Sequence, residues 1–291
     1  MRYSIARKIL KFFPDKVFLQ LYFRKNMHRW ISFKYPKSFN EKIQWLKVND
    51  HNKLYIELCD KYEVRQFVEE LFGKEYLIPC YGVYDSFSEI NFDELPNQFV
   101  IKCTHDSGSV VVCRDKKSQD FEYMRKKIEN GLRHNSYDYA REWQYKNIKP
   151  RIIIEKFMIQ DDGLGETLGI IDYKFFCFNG KPKFYYVSRG LENHETARIS
   201  FFDLEGNPMP FIRSDYKPFE GRVKPQFLNQ MTEMAQKAAE KIGSDFIRVD
   251  FYEIDKHIYF SEFTLHPCSG VMPIVPEEWD YKIGDMLELH K

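Results

Sequence analysis

Hydrophobic positions change their spacing about a quarter of the way along the chain. Up to about residue 80, apolar residues recur every three or four positions, which is typical of amphipathic helices. We expect helical spacing in the first 37 residues, then a short helix NEKIQWLKV capped by Asn40, and then a longer helix LYIELCDKYEVRQFVEELFG closed by Gly73. The front of the chain is therefore predicted to be mainly helical.

From Tyr81 onwards the apolar residues form short runs rich in Val, Ile, Phe and Tyr, separated by turn residues. The predicted strands are QFVIKC, SVVVC, RIIIEKF, YKFFCF, KFYYVSR, ISFFD, FIRVDFY and IYFSEFT. One helix, PQFLNQMTEMAQKAAEKIG, interrupts them between Pro225 and Gly243. This arrangement predicts an α+β fold with largely antiparallel sheets.

Composition limits the classes of protein to which this chain can belong. With 43% hydrophobic and 30% charged residues among 291, it is predicted to fold as a globular, catalytic-sized unit with subdomains. A formal net charge of +1 argues against a nucleic-acid partner. Six scattered cysteines, and no apolar run of the roughly 20 residues that span a membrane, predict a reduced cytoplasmic protein.

The charge is unevenly distributed along the sequence. Residues 1–37 contain ten lysines and arginines but one acid, Asp15, so this segment carries +9 and the rest of the chain −8. The apolar residues at helical spacing in the same segment include Ile5, Ile9, Phe12, Phe13, Val17 and Leu21. Two interpretations stay open: the segment packs on the protein's own core, or it contacts an anionic membrane surface or a partner.

The hairpin DFIRVDFYEIDKHIYFSEFTLHP is the strongest candidate for chemistry. Side chains alternate along a strand, so Arg248 and Asp250 share one face. A loop with an odd number of residues, centred on Lys256, makes Asp250 and Glu262 direct cross-strand partners. Two carboxylates this close repel unless a proton or cation lies between them, and Mg²⁺ prefers such oxygen ligands. The alternative is a solvent-facing charged hairpin in which Arg248 pairs with either acid.

A second candidate is the segment QFVIKCTHDSGSVVVC. Lys102 lies in the middle of a strand between apolar neighbours, where a buried ammonium needs an anionic partner. A short loop over 104–109, with one glycine at Gly108, follows it and can bring backbone N–H groups to a phosphate. The sequence of a Walker loop is missing, so an ordinary hairpin turn is the alternative.

The segment RIIIEKFM places Glu155 at the end of a strand, before a turn at 161–163. An acid at this position can hydrogen-bond the amino edge of a purine, with Phe157 and Met158 beside the ring. Acids at strand ends are commonly solvated, so this segment is informative only together with the others.

Taken in order, these segments resemble the ATP-grasp enzymes, and among them the group similar to the teichuronopeptide-biosynthesis protein. The resemblance extends from about residue 38 to the carboxyl end. It implies an ATP-grasp fold of two α+β subdomains that grip ATP, preceded by a basic helical segment. The domain ranges that we expect are 1–50 for that segment, 51–150 for the subdomain with the phosphate loop and 151–291 for the subdomain with the metal site.

The same resemblance implies ATP and Mg²⁺ as cofactors. Positions that match the family's nucleotide-binding residues are Lys61, Lys102, Thr104, Gly108, Ser109, Glu155, Phe157, Asp172 and Lys174. Asp250 and Glu262 match its metal ligands, and Thr264 stands where the family has asparagine. Arg248 and Lys102 are then the expected catalytic residues, since both act on the phosphoryl group.

By resemblance, the reaction is carboxylate–amine ligation through an acyl phosphate. The substrate that accepts the acyl group is then expected near the phosphate loop and near the segment that follows the strand of Glu262. The matching residues are His105, Ser107, His266, Ser269 and Gly270. His105 and His194 are candidate bases. The expected partners are an acid and an amine, with a lipid-linked or polymeric uronic-acid glycan of a bacterial surface polysaccharide as the acid.

Two other functions stay open at this stage. One is a glycosyltransferase or phosphoryl-transfer enzyme of the same pathway, although no Asp-x-Asp string occurs in the sequence. The other is an ATP-binding module without turnover.

Overall fold

The computed structural model describes residues 12–160, 169–191, 195–220 and 223–290. Ile5, Ile9, the turn at 161–163 and the candidate base His194 lie outside the described residues. Within these ranges the α-helices are α1 Asp15–Met27, α2 Phe39–Asn49, α3 Leu54–Cys59, α4 Val64–Leu71, α5 Phe121–Leu132, α6 Tyr137–Ala140, α7 Leu228–Ile242 and α8 Glu278–Asp285. The strands are β1 Cys80–Tyr84, β2 Phe99–Cys103, β3 Val110–Cys113, β4 Ile152–Lys156, β5 Asp172–Phe178, β6 Lys181–Arg189, β7 Arg198–Asp203, β8 Ile212–Arg213, β9 Phe246–Ile254, β10 His257–Thr264 and β11 Ile274–Val275.

All eight runs that the sequence predicts as strands form strands, β2 to β7 and then β9 and β10. Strand β1 lies in IPCYGVYDS, which the family resemblance implies to be a strand, whereas β8 and β11 were not predicted and are only two residues long. Every strand pairing in the described sheets is antiparallel, so the predicted sheet type is confirmed.

The smaller sheet has the strand order β1-β4-β2-β3. Alternate residues of β2, including Phe99 and Ile101, are fully buried against Met124 and Ile128 of α5. The opposite face carries Lys102 and two exposed valines, Val110 and Val112. Strand β4 joins this sheet although it begins after residue 150, and the predicted domain bounds do not anticipate that pairing.

The larger sheet has the order β10-β9-β5-β6-β7. One face packs against the apolar stripe of α7, and α3 and α4 cover the rest of that core. The other face of this sheet has an apolar half and a charged half. One half is aromatic and packs against α2, and the other half bears the charged side chains of β5, β9 and β10.

The helices of the front segment differ from the prediction in two places. Ser38, not Asn40, caps α2, because its hydroxyl accepts the N–H of Glu41 in a capping box. The predicted long helix is two helices, since the Asp60 carboxylate accepts the N–H groups of Tyr62 and Glu63 and so forms a turn. This turn presents Lys61.

The long helix of the second half ends where the sequence predicts but begins three residues later. Its carboxyl end is Gly243, at a φ of +67°. Its first residue is Leu228, and Pro225 precedes it. In the described ranges, no helix is long and apolar enough to cross a membrane.

Candidate active site

The hairpin of β9 and β10 brings Asp250 directly opposite Glu262, as the sequence predicts. The route to this register differs from the prediction, however. The turn consists of two residues, Asp255 and Lys256, both at positive φ as hairpins of type I′ require. An irregularity between Phe260 and Glu262 then shifts the pairing by one residue and places the two acids face to face.

Asp250 is completely buried, and both its oxygens accept hydrogen bonds from cations. Arg248 donates through Nε to Oδ1 at 2.7 Å and through Nη2 to Oδ2 at 2.6 Å. Lys174 of β5, which pairs with Asp250 in register, donates to Oδ2 at 2.8 Å. Lys174 also lies 3.2 Å from Oδ1 of Asp172. The sequence prediction placed these four residues at the site but did not anticipate this network.

Glu262 is the more accessible carboxylate of the opposed pair, with 45% of its side chain exposed. Its Oε1 accepts from Nη2 of Arg248 at 2.9 Å and from the Thr264 hydroxyl at 3.3 Å. Burial opposes the negative charge, but Lys174, Arg248 and Lys61 outweigh burial and lower the pKa of Glu262 to about 2. Glu262 is therefore an anion at any physiological pH.

The donor set of this face is suited to Mg²⁺, which takes one or two carboxylates and fills its remaining positions with water and phosphate oxygens. Glu262 is the carboxylate open to the cleft, and Asp250 lies behind it with its oxygens already shared between Arg248 and Lys174. Among the described residues, no group of three or more His, Cys, Asp or Glu side chains is placed to hold a metal ion by itself. The metal-binding role of Asp250, Glu262 and Thr264 stays a prediction.

Lys102 has the anionic partner that its position in β2 requires. Its Nζ lies 2.6 Å from Oε2 of Glu155, and Arg65 reaches the other oxygen at 3.1 Å. Both oxygens of Glu155 are therefore engaged in ion pairs, so a purine amino group would have to compete with two cations for them. Phe157 follows on the same strand end and lies under the guanidinium of Arg114, 5.0 Å from its ring centre.

The predicted phosphate loop connects β2 and β3 as a hairpin. The Ser109 carbonyl accepts the N–H of Cys103 at 3.0 Å, and Gly108 has a φ of +111° with open space where a Cβ would lie. Lys61 joins the loop from the side. Its backbone N–H donates to the Thr104 carbonyl at 3.1 Å, and its ammonium donates to the Asp106 carbonyl.

Burial lowers the pKa of Lys61 from its usual value, and the charge of Lys102 lowers it further. A phosphate beside Lys61 would favour its charged form, and the role of Lys61 and Lys102 in binding phosphate stays a prediction.

A cleft of about 780 Å³ joins the phosphate loop to the charged hairpin. Of the residues predicted for the site, those that line it are Ser107, Ser109, Arg248, Glu262, Thr264, His266 and Ser269. His105 and Gly270 are buried and do not line it. The His105 ring contacts the carbonyl of His134 at 3.0 Å, and Gly270 packs against α2.

One wall of the cleft contains a carboxylate that the sequence prediction missed, Glu142. It accepts a hydrogen bond from the Ser269 hydroxyl at 2.6 Å, and its other oxygen lies 3.7 Å from Nδ1 of His266. Glu142 precedes a 3₁₀ turn over Trp143–Asn147, in a segment without periodic pattern. No local signal distinguishes it, because its partners come from a segment more than 120 residues away.

The chain is similar to known proteins both in sequence and in structure. The sequence model of the family described as TupA-like ATPgrasp matches residues 41–288. A comparison with curated proteins finds no match. The D-alanine–D-alanine ligase of Helicobacter pylori is similar in structure, with a TM-score of 0.50 and 15% identity over 87% of this chain and 70% of that one.

Two further structures are similar at lower scores. The D-alanine–D-alanine ligase of Bacillus anthracis complexed with ATP has a TM-score of 0.42 and 18% identity over 72% of this chain. The present chain spans 55% of the length of that ligase. An L-amino acid ligase of Bacillus licheniformis has a TM-score of 0.43 and 11% identity, over 80% of this chain and 50% of that one. The family match covers most of the sequence, and the chain therefore belongs to the TupA-like ATP-grasp family and has the ATP-grasp fold.

Proposed function

We propose that this protein is an ATP-dependent ligase that joins a carboxylate to an amine. The observation that carries the proposal is that Glu262 and Arg248, with Asp250 buried behind them, line one cleft with Asp106, Ser107 and Ser109 of the loop. Membership of the ATP-grasp family, and the ligase activities named for its structural neighbours, support the same conclusion.

In this proposal Arg248, which lines the cleft, and three lysines near it hold the phosphates of ATP. Lys61 and Lys102 lie on the loop side, and Lys174 and Arg248 lie on the larger sheet. Mg²⁺, when bound at Glu262 with Asp250 behind it, would neutralise charge on the β- and γ-phosphates. Glu155 and Phe157 are the residues that we assign to adenine, and Asp172 is assigned to the ribose.

Arg248 is suited to act on the group that is transferred. Its planar guanidinium already binds two carboxylates, Asp250 through Nε and Nη2 and Glu262 through Nη2, and the same fork matches a phosphoryl group or an acyl phosphate. The loop over 104–109 would exclude water, because an exposed acyl phosphate hydrolyses before an amine reaches it. The amine then displaces phosphate and forms the amide.

We further propose a uronic-acid carboxylate of a bacterial surface polysaccharide as the acid, in a lipid-linked or polymeric glycan. The resemblance to the teichuronopeptide group supports this choice of pathway. A peripheral position at the inner face of the membrane is part of the proposal, and the surface of α1 described in the Discussion supports it.

The test is ADP and phosphate release from Mg-ATP in the presence of panels of amino acids and uronic-acid glycans. We expect release to require both an acid and an amine. Glu262→Gln should lower the rate at least about 100-fold, because an uncharged amide is a poor ligand for Mg²⁺. The matched control is Glu278→Gln, which removes an exposed ion pair with Lys282 on α8 and should leave the rate unchanged.

Two results would contradict the proposal. Tight ATP binding without ADP under any pairing would favour the non-catalytic module. Transfer of a sugar or phosphoryl group to a glycan without an amine would favour the alternative transferase.

A further inference from the structure

Glu142 is a largely buried carboxylate in the wall of the cleft, with 13% of its side chain exposed. It follows Arg141, whose backbone has a positive φ of 55° and ends helix α6. The segment therefore turns sharply just before Glu142, and the next residues form the 3₁₀ turn over Trp143–Asn147. This turn of the backbone places the Glu142 carboxylate beside Ser269 and His266, in the segment that follows β10.

The hydrogen-bond partners of Glu142 are neutral donors. The Ser269 hydroxyl donates to Oε1 at 2.6 Å, and the Gln144 amide lies 3.4 Å from Oε2. His266 contributes its Nδ1 at 3.7 Å, and that ring is also 3.2 Å from Gln144. Among the described residues, no lysine or arginine forms an ion pair with this carboxylate.

The nearest lysine does not neutralise the carboxylate directly. Lys47 directs its ammonium to two backbone carbonyls, those of Ala140 at 3.0 Å and Ser269 at 2.6 Å. Burial disfavours the charge of Glu142, but the hydrogen bonds and charges of His266, Lys47 and Ser269 outweigh it and keep the pKa below its ordinary value. The cleft thus contains a carboxylate that favours its charged form but that, among the described residues, forms no ion pair with a lysine or arginine.

A buried anion of this kind is stabilised when a cation is placed beside it. The other cations lie away from Glu142: Arg248 lines the cleft at the hairpin, where it also binds Glu262, and the Lys61 ammonium lies behind the loop, outside the lining, whereas Glu142 is on the wall beside Ser269. A carboxylate substrate is attracted to these cations and repelled by Glu142. An ammonium group has the opposite preference.

We propose that Glu142 binds the acceptor amine in its ammonium form, so that the second substrate is a cationic amine. The ammonium must lose one proton before its nitrogen attacks the acyl phosphate and a second as the amide forms, and both protons leave with the phosphate as dihydrogen phosphate. This inference rests on the proposed ligase function and adds the class of its acceptor. Ser269 holds the carboxylate in position through its hydroxyl. The neighbouring lining consists of neutral polar side chains, Asn130, Ser136 and Tyr139, which suit a polar molecule that carries the amine.

The experiment compares wild type with Glu142→Gln, a change that removes the charge and keeps the shape. The acceptor is the best amine from the ADP-release panel, and hydroxylamine, which is uncharged at neutral pH, is the second nucleophile. We expect the variant to raise the KM for the cationic amine about tenfold or more, with the KM for ATP and the hydroxylamine rate within about twofold of wild type. Glu142→Asp should recover part of the loss.

The matched control is Glu129→Gln on α5, which removes surface ion pairs with Arg125 and Arg133 outside the cleft and should leave all three values unchanged. A second measurement needs no variant. With wild type, an N,N-dimethyl analogue of the acceptor, which keeps the positive charge, should inhibit competitively, and the corresponding alcohol should not.

Three outcomes would overturn the inference. These are an unchanged KM for the amine in Glu142→Gln, an equal loss with both nucleophiles, and equal inhibition by the charged analogue and the alcohol. If wild type instead releases no ADP with any acid and amine, the ligase function itself is wrong and this inference is wrong with it.

Discussion

Asp172 and Glu262 lie on the same charged face of the larger sheet, yet their pKa values shift in opposite directions. Burial raises the pKa of Asp172 to about 6, because Lys174 compensates only in part and Asp250 and Glu262 add repulsion. Glu262 has three cations near it, and its pKa falls to about 2. Near neutral pH, the first acid is poised to take up a proton and the second is not.

The raised pKa of Asp172 predicts a specific pH dependence of stability. Between its unfolded value near 3.8 and about 6, the folded state binds more protons than the unfolded state. This contribution to the free energy of unfolding is therefore complete below about pH 3.8 and is lost as the pH rises through 6. The variant Asp172→Asn has no carboxyl group to titrate at this position. Between about pH 3.8 and 6, the free energy of unfolding of wild type should therefore fall relative to that of the variant, by up to about 1.4 kcal/mol per pH unit.

Urea unfolding of both proteins at pH 4, 5, 6 and 7 measures this difference. Acids remote from Asp172 contribute equally to both proteins and cancel in the subtraction, and Glu262, with a pKa of about 2, stays charged between pH 4 and 7. Parallel stability curves would show that Asp172 titrates at its ordinary pKa in the folded protein.

Among individual residues, the sequence identified those whose role follows from the pattern of their neighbours in the chain. Strand alternation placed Arg248 and Asp250 on one face, but the pairing of Asp250 with Glu262 was predicted through a turn that differs from the observed one. The apolar neighbours of Lys102 required an anion, which is Glu155. Glu142 could not be found in this way, because its partners Ser269 and His266 are distant in the sequence.

Helix α2 supports the floor of the site through the tight turn over Pro267–Gly270. The Gln44 amide donates to the carbonyls of Ser269 and Gly270, both at 2.8 Å. Gly270 has a φ of +67°, and a Cβ there would lie 2.6 Å from the Gln44 amide nitrogen. The close approach of the helix therefore depends on the absence of a side chain at this position.

Gly270→Ala is predicted to destabilise the protein more than Gly243→Ala. Both glycines have a φ of +67°, so both variants carry the same backbone penalty of about 1 kcal/mol, but at Gly243 nothing lies within 4 Å of the new Cβ. Gly270→Ala adds the cost of displacing Gln44, which should bring its total to about 2–4 kcal/mol.

Denaturant unfolding of the two variants measures the difference, and the kinetics of ADP release measure its effect on the cleft. Equal destabilisation would show that α2 and the turn can separate without cost.

Element boundaries were predicted well where apolar periodicity decides them and poorly where polar contacts do. The eight strand runs and the end of α7 at Gly243 follow from periodicity and a glycine signal. The break between α3 and α4 depends on the Asp60 carboxylate, which satisfies two backbone N–H groups and an arginine, Arg151. The shift in register near Ser261 has no signal in the pattern of either strand.

In the whole molecule, helix α1 bears on the two interpretations that the sequence left open for the basic segment, and contact with a membrane or a partner stays a prediction. Phe18, Leu19 and Phe23 are buried in a small cluster, so the helix packs on the protein. Two apolar residues of the helix are exposed, and so are two residues before it and two after it: the exposed set is Phe12, Phe13, Val17, Leu21, Trp30 and Tyr35. We call this set the N-terminal apolar surface.

The charges around the N-terminal apolar surface are positive. Lys16, Arg24, Lys25 and Lys34 belong to the same segment, and the guanidinium of Arg24 lies over the Trp30 ring. The acid of the segment, Asp15, is turned towards Arg141 and the Tyr137 hydroxyl. Exposed aromatic residues among cations suit the interface of an anionic lipid bilayer.

Leu21→Glu should lower the affinity of the full chain for vesicles of phosphatidylglycerol and phosphatidylcholine about tenfold or more, because a leucine side chain contributes roughly 1.5–3 kcal/mol when buried. Tyr123→Glu, on the exposed side of α5, is the matched control and should bind as wild type does. Sedimentation with the vesicles measures both. Equal binding of the two variants, or no binding by wild type, would exclude this surface as the membrane contact.

The contact of Arg141 with α1 links the segment that bears the N-terminal apolar surface to the wall of the cleft. Its guanidinium is almost fully buried, lies 4.4 Å from the Phe18 ring centre and reaches Asp15 at 3.1 Å. The next residue in the chain is Glu142. Removing the first helix would expose a buried arginine and loosen the wall of the cleft at the same time. A shortened enzyme would then lose activity for reasons unrelated to lipid, and only changes on the outward side of α1 can separate attachment from catalysis.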